Sequence, residues 1–361
     1  MDSDVIIIGA GALGVSLAYH LAARKRKSLV LEREPSYAYH ASGKNAGMIR
    51  QLYRHPQLTA WAHRSVAEWP DVVKSRIFNQ AGSMIVGRVA PGHHEWLFET
   101  ETLSQTSQGV SKLVPAVRTV SDGLIDPSLY VDALYKLTDR EYARYLFNHS
   151  VKAIEKEKSV WSVVANDGRK FSAPWIVNAA GAWAHDFLFP QADNCVMARP
   201  YARHLFVVEG WERGYMPVPK VGYYWDEVSE WYLRRWDENS RLVSICDKTA
   251  VCPRLFCPTQ GIAEKLSRKL IASLGSIADN LRLSRYWHCF RMYTADLLPI
   301  WGEDSLSPGL FWLAAFGGFG MSTSYAATED AAKYICGQNV NISADFLPNR
   351  ENLLADAHNA R

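Results

Sequence analysis

The sequence predicts an α/β fold in which a parallel sheet is combined with a second, antiparallel sheet. The first indication is a short apolar strand at residues 4–8, followed by a glycine-rich turn, a helix to about Ala23 and a second apolar strand. The order of strand, glycine turn and helix returns at residues 310–336. Between residues 199 and 291, short alternating apolar runs are typical of antiparallel strands. Strands that alternate with helices, beside a separate β-rich stretch, define this fold class.

The first glycine turn, residues 9–14, has the spacing G-x-G-x-x-G of a dinucleotide-binding fingerprint. Gly9 permits the tight turn, Gly11 lets a pyrophosphate approach the backbone, and Gly14 lets the helix pack closely on the sheet. The helix N-terminus directs unpaired N–H groups at the phosphates. Glu32, at the end of the second strand, would accept a hydrogen bond from a ribose hydroxyl. A purely structural βαβ turn is the alternative, and the motif alone leaves the dinucleotide open.

Length and composition suit a soluble globular protein of two domains, or of one domain with a large insertion. The chain has 361 residues, of which 48% are hydrophobic and 21% charged. Its 13 tryptophans and 17 tyrosines indicate a pocket lined by aromatic rings. The formal net charge is only +3, with no long basic run, which argues against a nucleic-acid partner.

The cysteines and the hydropathy exclude further classes of protein. The six cysteines form no C-x-x-C pair, and no histidine cluster has metal-ligand spacing, so we expect neither a metal site nor a redox dithiol. No apolar run is long enough to span a membrane, and no secretory signal is visible. We therefore expect a cytoplasmic protein without a transmembrane segment.

A segment rich in small and polar residues, 39–50, follows Glu32. Such a composition is typical of a loop that lets the backbone approach something closely. An ordinary surface loop is the alternative. Its position beside Glu32 and its many N–H and hydroxyl donors favour a second phosphate contact.

The other elements follow from periodicity and from turn residues. A helix opens near residues 124–128, where Asp126 or Ser128 can cap it, whereas residues 88–120 show no clear pattern. Further helices are predicted at 58–73 and 261–273, and strands at 82–87, 151–154, 160–164, 175–177, 201–208, 222–225, 231–235, 242–246 and 310–314.

The second glycine turn, residues 316–321, precedes a helix that is predicted to begin near 322–324 and to end before Gly337. Thr323 stands where a third glycine would fall, and no acidic residue follows, so we expect a helix end aimed at the same cofactor. An enzyme that reduces its flavin with NAD(P)H usually needs a second nucleotide fold, and none is evident. A bound FAD would therefore take its electrons directly from the substrate.

Taken together, the motifs resemble those of the D-amino-acid oxidase superfamily of FAD-dependent amine oxidoreductases, which includes glycine oxidase, sarcosine oxidase and the D-amino-acid dehydrogenases. They occur in the family's order and span nearly the whole chain. The matching segments are Ile7–Gly14, Ala41–Met48, Val177–Ala184, Phe290-Arg291 with Asp296 and Pro299, and Gly317–Met321.

The resemblance implies two interleaved domains. A Rossmann-type FAD-binding domain would be assembled from 1–81, 122–196 and 291–345. An antiparallel β-sheet (α+β) substrate domain would comprise 82–121 and 197–290, and 346–361 would form a C-terminal tail.

The resemblance also implies non-covalent FAD in an extended pose. The helix after Gly320 would direct its dipole at the flavin N1–C2=O edge, where reduction builds negative charge. The implied cofactor-binding residues are Gly9, Gly11, Ala12, Gly14, Glu32, Arg33, Ser42, Lys44, Asn45, Ala46, Gly47, Met48, Val151, Ala179, Ala180, Gly181, Trp183, Gly317, Gly318, Phe319, Gly320 and Met321.

For the substrate, the resemblance implies that Arg291 pairs with an amino-acid carboxylate, in a bidentate geometry that lysine cannot reproduce. A structural ion pair with Asp296 is the alternative. Tyr224 and Tyr53 are implied as further contacts in the catalytic site, with plain core packing as the alternative for both. Arg203 is a candidate for a second positive charge.

Some sarcosine oxidases carry a flavin-bonded cysteine where this chain has Arg291, so no covalent attachment is expected there. Cys289 lies two residues away, and we do not expect it to bond the flavin. His204 and His288 are expected to be structural.

The implied reaction is oxidation of an amine: the Cα–H leaves as hydride to flavin N5, and the imine hydrolyses. A D-amino acid, glycine or an N-methyl amino acid would be the substrate, and oxygen or another acceptor would reoxidise the flavin. The strand at 82–86 has no acidic residue, so a cationic substrate is not favoured, and Trp225, Trp231, Trp236 and Trp287 suggest an aromatic wall. The alternatives are an FAD-dependent dehydrogenase of a 2-hydroxy acid or polyol on the same fold, and a non-catalytic nucleotide-binding scaffold.

Overall fold

The computed structural model describes residues 3–107, 110–184, 198–253, 260–350 and 353. Its helices are α1 (Ala12–Ala23), α2 (Ala41–Lys44), α3 (Pro56–Glu68), α4 (Asp71–Arg76), α5 (Pro127–Leu137), α6 (Ile262–Leu274) and α7 (Gly320–Ile335), with 3₁₀ turns at Glu95–Leu97, Gly181–Trp183, Gly275–Asn280 and Ala344–Phe346. Its strands are β1 (Val5–Ile8), β2 (Ser28–Leu31), β3 (Met48–Ile49), β4 (Phe78–Gln80), β5 (Ser83–Val86), β6 (Glu99–Ser107), β7 (Val110–Thr119), β8 (Gly123–Ile125), β9 (Ala143–Leu146), β10 (Val151–Glu157), β11 (Val160–Ala165), β12 (Lys170–Ala173), β13 (Trp175–Asn178), β14 (Arg199–Glu209), β15 (Tyr223–Asp226), β16 (Trp231–Arg235), β17 (Ser240–Ser244), β18 (Thr249–Ala250), β19 (Arg282–Tyr293), β20 (Ile300–Glu303) and β21 (Leu310–Ala314).

The first sheet has six strands in the order β20-β21-β13-β1-β2-β9. All neighbours are parallel except β20, which runs antiparallel to β21. Val5 and Ile7 pack against the helices, whereas Ile6 and Ile8 pack against the small sheet β10-β11-β12. Because both faces are covered, β1 is a continuous apolar run.

The second sheet has nine strands, in the order β18-β14-β17-β16-β15-β5-β7-β6, with β19 paired to β14. Its pairs are antiparallel, except for the parallel pair of β15 and β5. One face packs under α6 through residues such as Leu233 and Val243. The other face, which carries Leu205 and Tyr232, packs against Ala46 and Met48. The second sheet therefore faces the loop that follows β2.

The predicted fold class is confirmed: parallel and antiparallel sheets are combined in one α/β structure. The predicted domain boundaries stay a prediction. Both sheets draw on separate stretches of the chain, the first on 5–31, 143–178 and 300–314, and the second on 83–119 and 199–293. In the region predicted as a tail, Phe346 is fully buried.

The clearest departures from the predicted elements are a broken helix, an added helical turn and an unpredicted hairpin. The helix predicted at 58–73 is broken into α3 and α4, because Pro70 forces the preceding Trp69 out of the helical region, to ψ 144°. The loop predicted at 39–50 contains the one-turn helix α2. The patternless stretch 88–120 holds the hairpin β6–β7 at the sheet edge.

Among the described residues, the structure contains no helix with the length and apolarity needed to cross a bilayer. Within the same ranges, no group of histidine, cysteine and carboxylate side chains is arranged to bind a metal ion.

Candidate active site

A cavity of about 500 Å³ lies between the two large sheets. It is lined by the residues that follow the carboxyl ends of β1, β2, β13 and β21, and it is closed on the other side by residues of β15 and β19. Ligands of open α/β sheets bind in this crevice beyond the carboxyl ends of the strands. The volume is also within the range of small-molecule sites.

The first glycine turn has no room for side chains. Gly9 has φ +104°, and a β-carbon there would lie 2.5 Å from the Ala179 carbonyl oxygen. A β-carbon on Gly14 would overlap the Gly9 carbonyl oxygen, so the absence of this atom lets α1 start directly against the turn. Gly14 itself does not line the cavity.

The N-terminus of α1 opens towards the cavity. Its cap, Gly11, supplies no capping side chain, and the Ala12 N–H instead donates to the Ser42 hydroxyl oxygen at 2.8 Å. Ser42 still has a proton to donate to a phosphate oxygen. The N-terminus and Ser42 together fit an anion.

Glu32 is held by two backbone N–H groups, those of Ala10 at 2.6 Å and Glu34 at 2.9 Å. Its burial raises the pKa of the carboxyl, while these two donors act in the opposite direction. Each carboxylate oxygen keeps lone pairs for a further donor. The side chain therefore fits a ribose hydroxyl, as the fingerprint predicts.

The predicted phosphate-binding loop is ordered by Asn45. The Asn45 amide donates to the carbonyls of Ala41 and Ser42, and its oxygen accepts the Gly47 N–H at 2.8 Å. Asn45 lines the cavity, but its amide is engaged in shaping the loop. Lys44 is exposed, with its ammonium 5.1 Å from the Tyr39 ring, and does not line the cavity.

The turn after β13 is shaped by the fully buried Asn178. Its amide donates to the Ala184 carbonyl at 2.9 Å, and its oxygen accepts the Ala180 N–H. Arg33 stacks over the Trp183 ring at 4.0 Å, at the Glu32 end of the cavity. The predicted residues of this turn that line the cavity are Ala179, Ala180, Gly181 and Trp183.

At the other end of the cavity lies the start of α7, which has no side-chain cap. Gly317, Gly318, Gly320 and Met321 line the cavity there. Phe319 does not, because its ring packs edge-on against Tyr53 at 5.1 Å. The helix begins at Gly320, earlier than predicted.

Arg291 lies beside this second glycine turn. A β-carbon on Gly318 would lie 3.2 Å from the Arg291 Nη1 atom, so the guanidinium packs directly on that glycine. Among the described residues, no carboxylate lies within 4 Å of the Arg291 guanidinium. The alternative of an ion pair with Asp296 is wrong, because Asp296 is bound by Arg350 at 2.7 Å.

Replacing Arg350 by methionine should lower the free energy of unfolding by about 3 kcal/mol, since it leaves the partly buried Asp296 carboxylate without its partner. Urea denaturation measures this loss. The matched control is Arg169→Met, which removes an arginine whose side chain is 50% exposed. Its ion pair with Asp167 should contribute less than about 1 kcal/mol. Equal losses in both variants would contradict a special role for the Arg350–Asp296 pair.

The structure does not bring Tyr224 to the cavity. Tyr224 packs under the opposite face of the second sheet, with its ring 5.8 Å from that of Trp231. Because side chains alternate along β15, the neighbours Tyr223 and Trp225 line the cavity instead. Tyr53 does line it, as predicted, and is buried.

Arg50, Tyr223 and Cys289 also line the cavity, although they were not among the predicted site residues. Arg50 is the last residue of the predicted phosphate-binding loop, 39–50, and its position there is the signal that could have found it. Burial raises the pKa of the Cys289 thiol, so the reactive thiolate is disfavoured. Arg203 is buried and donates to the Asp247 carbonyl, and it does not line the cavity.

Of the predicted cofactor-binding residues, Gly14, Lys44 and Phe319 lie outside the cavity lining. That the others contact the cofactor stays a prediction. Those that line the cavity are Gly9, Gly11, Ala12, Glu32, Arg33, Ser42, Asn45, Ala46, Gly47, Met48, Val151, Ala179, Ala180, Gly181, Trp183, Gly317, Gly318, Gly320 and Met321.

The parallel sheet, the glycine turn and the acidic residue after β2 define a dinucleotide-binding fold. A family model described as FAD dependent oxidoreductase (DAO) matches residues 4–334. The chain belongs to this family, and it is an FAD-dependent oxidoreductase.

Individual relatives are distant. An opine oxidase component of Rhizobium meliloti is 22% identical, over 90% of this chain and 91% of the relative. Among solved structures, glycine oxidase from Geobacillus kaustophilus superposes with a TM-score of 0.77 at 19% identity, over 97% of this chain and 99% of that chain. L-proline dehydrogenase from P. horikoshii has a TM-score of 0.77 at 21% identity, over 94% of both chains. These similarities establish the fold.

Proposed function

We propose that this enzyme oxidises the C–N bond of a small amino acid or N-substituted amino acid, whose carboxylate binds Arg291, to an imine that hydrolyses in water. The observation that carries the proposal is the Arg291 guanidinium, which faces the cavity with no carboxylate partner among the described residues. A cation in this state is suited to a carboxylate ligand, which it can bind bidentately. The names of the relatives, an opine oxidase and a glycine oxidase, are consistent with an amine substrate.

When bound, FAD supplies the acceptor for the hydride that leaves the substrate carbon. The α1 N-terminus and Ser42 would hold its pyrophosphate, and Glu32 its ribose. The N-terminus of α7, which has no side-chain cap, would stabilise negative charge on the part of the cofactor that it faces.

The chain's own contribution to the reaction is binding and orientation. Arg291 fixes the carboxylate, while burial and the positive charge of the guanidinium both disfavour an ammonium group and favour the neutral amine. In the cavity lining, burial raises the pKa values of Tyr223 and Cys289. Neither group is therefore suited to act as a base at neutral pH, and a substrate amine that binds neutral needs none.

The test is anaerobic titration of the purified holoenzyme with glycine, sarcosine, proline, D-amino acids and iminodiacetate. Lactate and glycerol serve as comparison compounds. We expect an amine to bleach the flavin absorbance, and neither lactate nor glycerol to do so. Acid precipitation of the same preparation should release free flavin, because the cofactor is expected to be non-covalent.

Bleaching by lactate or glycerol, with no response to any amine, would replace the proposal by the dehydrogenase of a 2-hydroxy acid or polyol. A flavin that no compound reduces would contradict both functions.

A further inference from the structure

A second arginine, Arg50, lies in the same cavity as Arg291. It follows β3, is only 8% exposed and lines the cavity. Its Nη1 atom is buried and has no hydrogen-bond partner among the described residues. A buried cation that lacks a partner is unfavourable, because its desolvation is not compensated.

The neighbouring carboxylates are engaged elsewhere. Asp122 accepts hydrogen bonds from the Ser83 hydroxyl, the Tyr223 hydroxyl and the Gln51 N–H. Glu227 pairs with Arg88, which is itself buried. Among the described residues, Arg50 forms no ion pair within 4 Å. The protein thus holds a charge in the cavity wall without a direct ion pair to a described carboxylate.

Two aromatic rings hold the Arg50 guanidinium. Its central carbon lies 4.2 Å from the Tyr53 ring centroid and 4.8 Å from that of Trp225. Cation–π contacts engage the faces of the planar group and leave the in-plane N–H donors available for an acceptor. The arrangement is a preorganised fork for a carboxylate.

Arg50 and Arg291 flank one compartment. Tyr53, which stacks on Arg50, packs against Phe319 at 5.1 Å, and Phe319 is adjacent to the Gly318 that Arg291 covers. Among the described lining residues the only carboxylate is Glu32, which belongs to the opposite, α1 end of the cavity. The described lining at the substrate end therefore carries two positive charges and no carboxylate, while Asp122 and Glu227 lie behind it.

We infer that the substrate is an amine with two carboxylates, one bound by Arg291 and the other by Arg50. This inference rests on the proposed function and adds the class of substrate to it. The second carboxylate belongs either to a substituent on the nitrogen, as in an N-carboxyalkyl amino acid, or to the side chain, as in an acidic amino acid. Both sources present the same group to Arg50, and matched compounds distinguish them.

The experiment compares pairs of compounds that differ in one carboxylate. Iminodiacetate is sarcosine with an added carboxylate on the N-methyl group, and D-glutamate is the acidic isostere of D-glutamine. We expect kcat/KM for the preferred dianionic compound to exceed that of its partner by about 100-fold, since a buried charge pair contributes this much or more. Whichever pair shows the preference identifies where the second carboxylate is attached.

Arg50→Leu should abolish that preference, because kcat/KM for the dianionic compound falls about 100-fold further than kcat/KM for its monocarboxylate partner. Arg50→Lys should restore part of the difference. The matched control is Arg54→Leu, four residues further on, whose side chain is 87% exposed. It removes the same charge from the same segment and should keep the wild-type preference. A second readout is calorimetric binding of thiodiacetate and (methylthio)acetate, which have no amine to oxidise.

Equal kcat/KM values for both members of each pair in the wild type would overturn the inference and leave the proposed function standing. An equal loss for all substrates in Arg50→Leu, together with weaker FAD binding, would assign Arg50 to the cofactor and also overturn it. If no amine reduces the flavin, the proposed function fails. Equal binding of the two sulfur compounds would then overturn the Arg50 subsite as well.

Discussion

Replacing Arg291 by leucine should raise KM for an amino-acid substrate about 100-fold while leaving the flavin absorbance of the holoenzyme intact. The physical reason is that the substrate carboxylate loses water when it enters the cavity, and only a charge-assisted, bidentate pair compensates for this loss. The side chain packs on Gly318 and forms no ion pair with a described residue, so its removal leaves no protein carboxylate unpaired. Stopped-flow reduction of the flavin under anaerobic conditions measures the effect on binding and on hydride loss separately.

Two controls distinguish a loss of carboxylate binding from general damage to the enzyme. Arg291→Lys keeps the charge but not the fork, and it should recover only part of the affinity. A carboxylate-free amine, such as pyrrolidine beside proline, should be oxidised equally by wild type and Arg291→Leu. An unchanged KM for the carboxylate substrate would remove Arg291 from this role.

Local patterns were sufficient for the elements that build the first sheet. The segment of β1, α1 and β2 was predicted to within about a residue, because strand, turn and helix are encoded by adjacent residues. The break at Pro70 was missed, although proline restricts the preceding residue, because the apolar periodicity continues across it. The hairpin β6–β7 was missed because β6, Glu99–Ser107, is almost entirely polar.

The substrate end of the cavity depended on long-range pairing that no local pattern reports. Whether Tyr223 or Tyr224 points into the cavity is decided by which face of β15 meets α6, and a shift of one residue exchanges the two. Arg50 lies at the end of the predicted loop 39–50, but its position in the substrate end depends on Trp225, from a distant strand, which lies against it. Backbone motifs thus predicted the residues at the nucleotide end of the cavity. The residues at the substrate end are determined by tertiary packing.

Gly14 tests whether the close packing of α1 on the first glycine turn forms the phosphate site at the nucleotide end of the cavity. Gly14→Ala should lower FAD affinity by at least about 100-fold and the free energy of unfolding by about 2 kcal/mol, although Gly14 contacts no part of the cavity. The added β-carbon would overlap the Gly9 carbonyl oxygen, which is backbone and cannot rotate away. Either α1 retreats from the turn or the turn changes shape. In both cases the N-terminus of α1 and the Ser42 hydroxyl bound to it no longer converge on one anion. Gel filtration followed by the ratio of flavin to protein absorbance measures retention, and titration of the apoprotein with FAD gives the affinity.

Gly92→Ala is the matched control, because Gly92 has no neighbouring atom within 4 Å of an added β-carbon and no positive φ. It makes the same change of one methyl group and should retain a full complement of FAD. If Gly14→Ala also kept its FAD, the close contact of α1 with the turn would not be what forms the phosphate site. The side chains of Ser42 and Glu32 would then have to provide most of the binding. If affinity fell while stability stayed at the wild-type value, the helix would have moved without loss of packing. The phosphate site would then depend on the position of α1 alone.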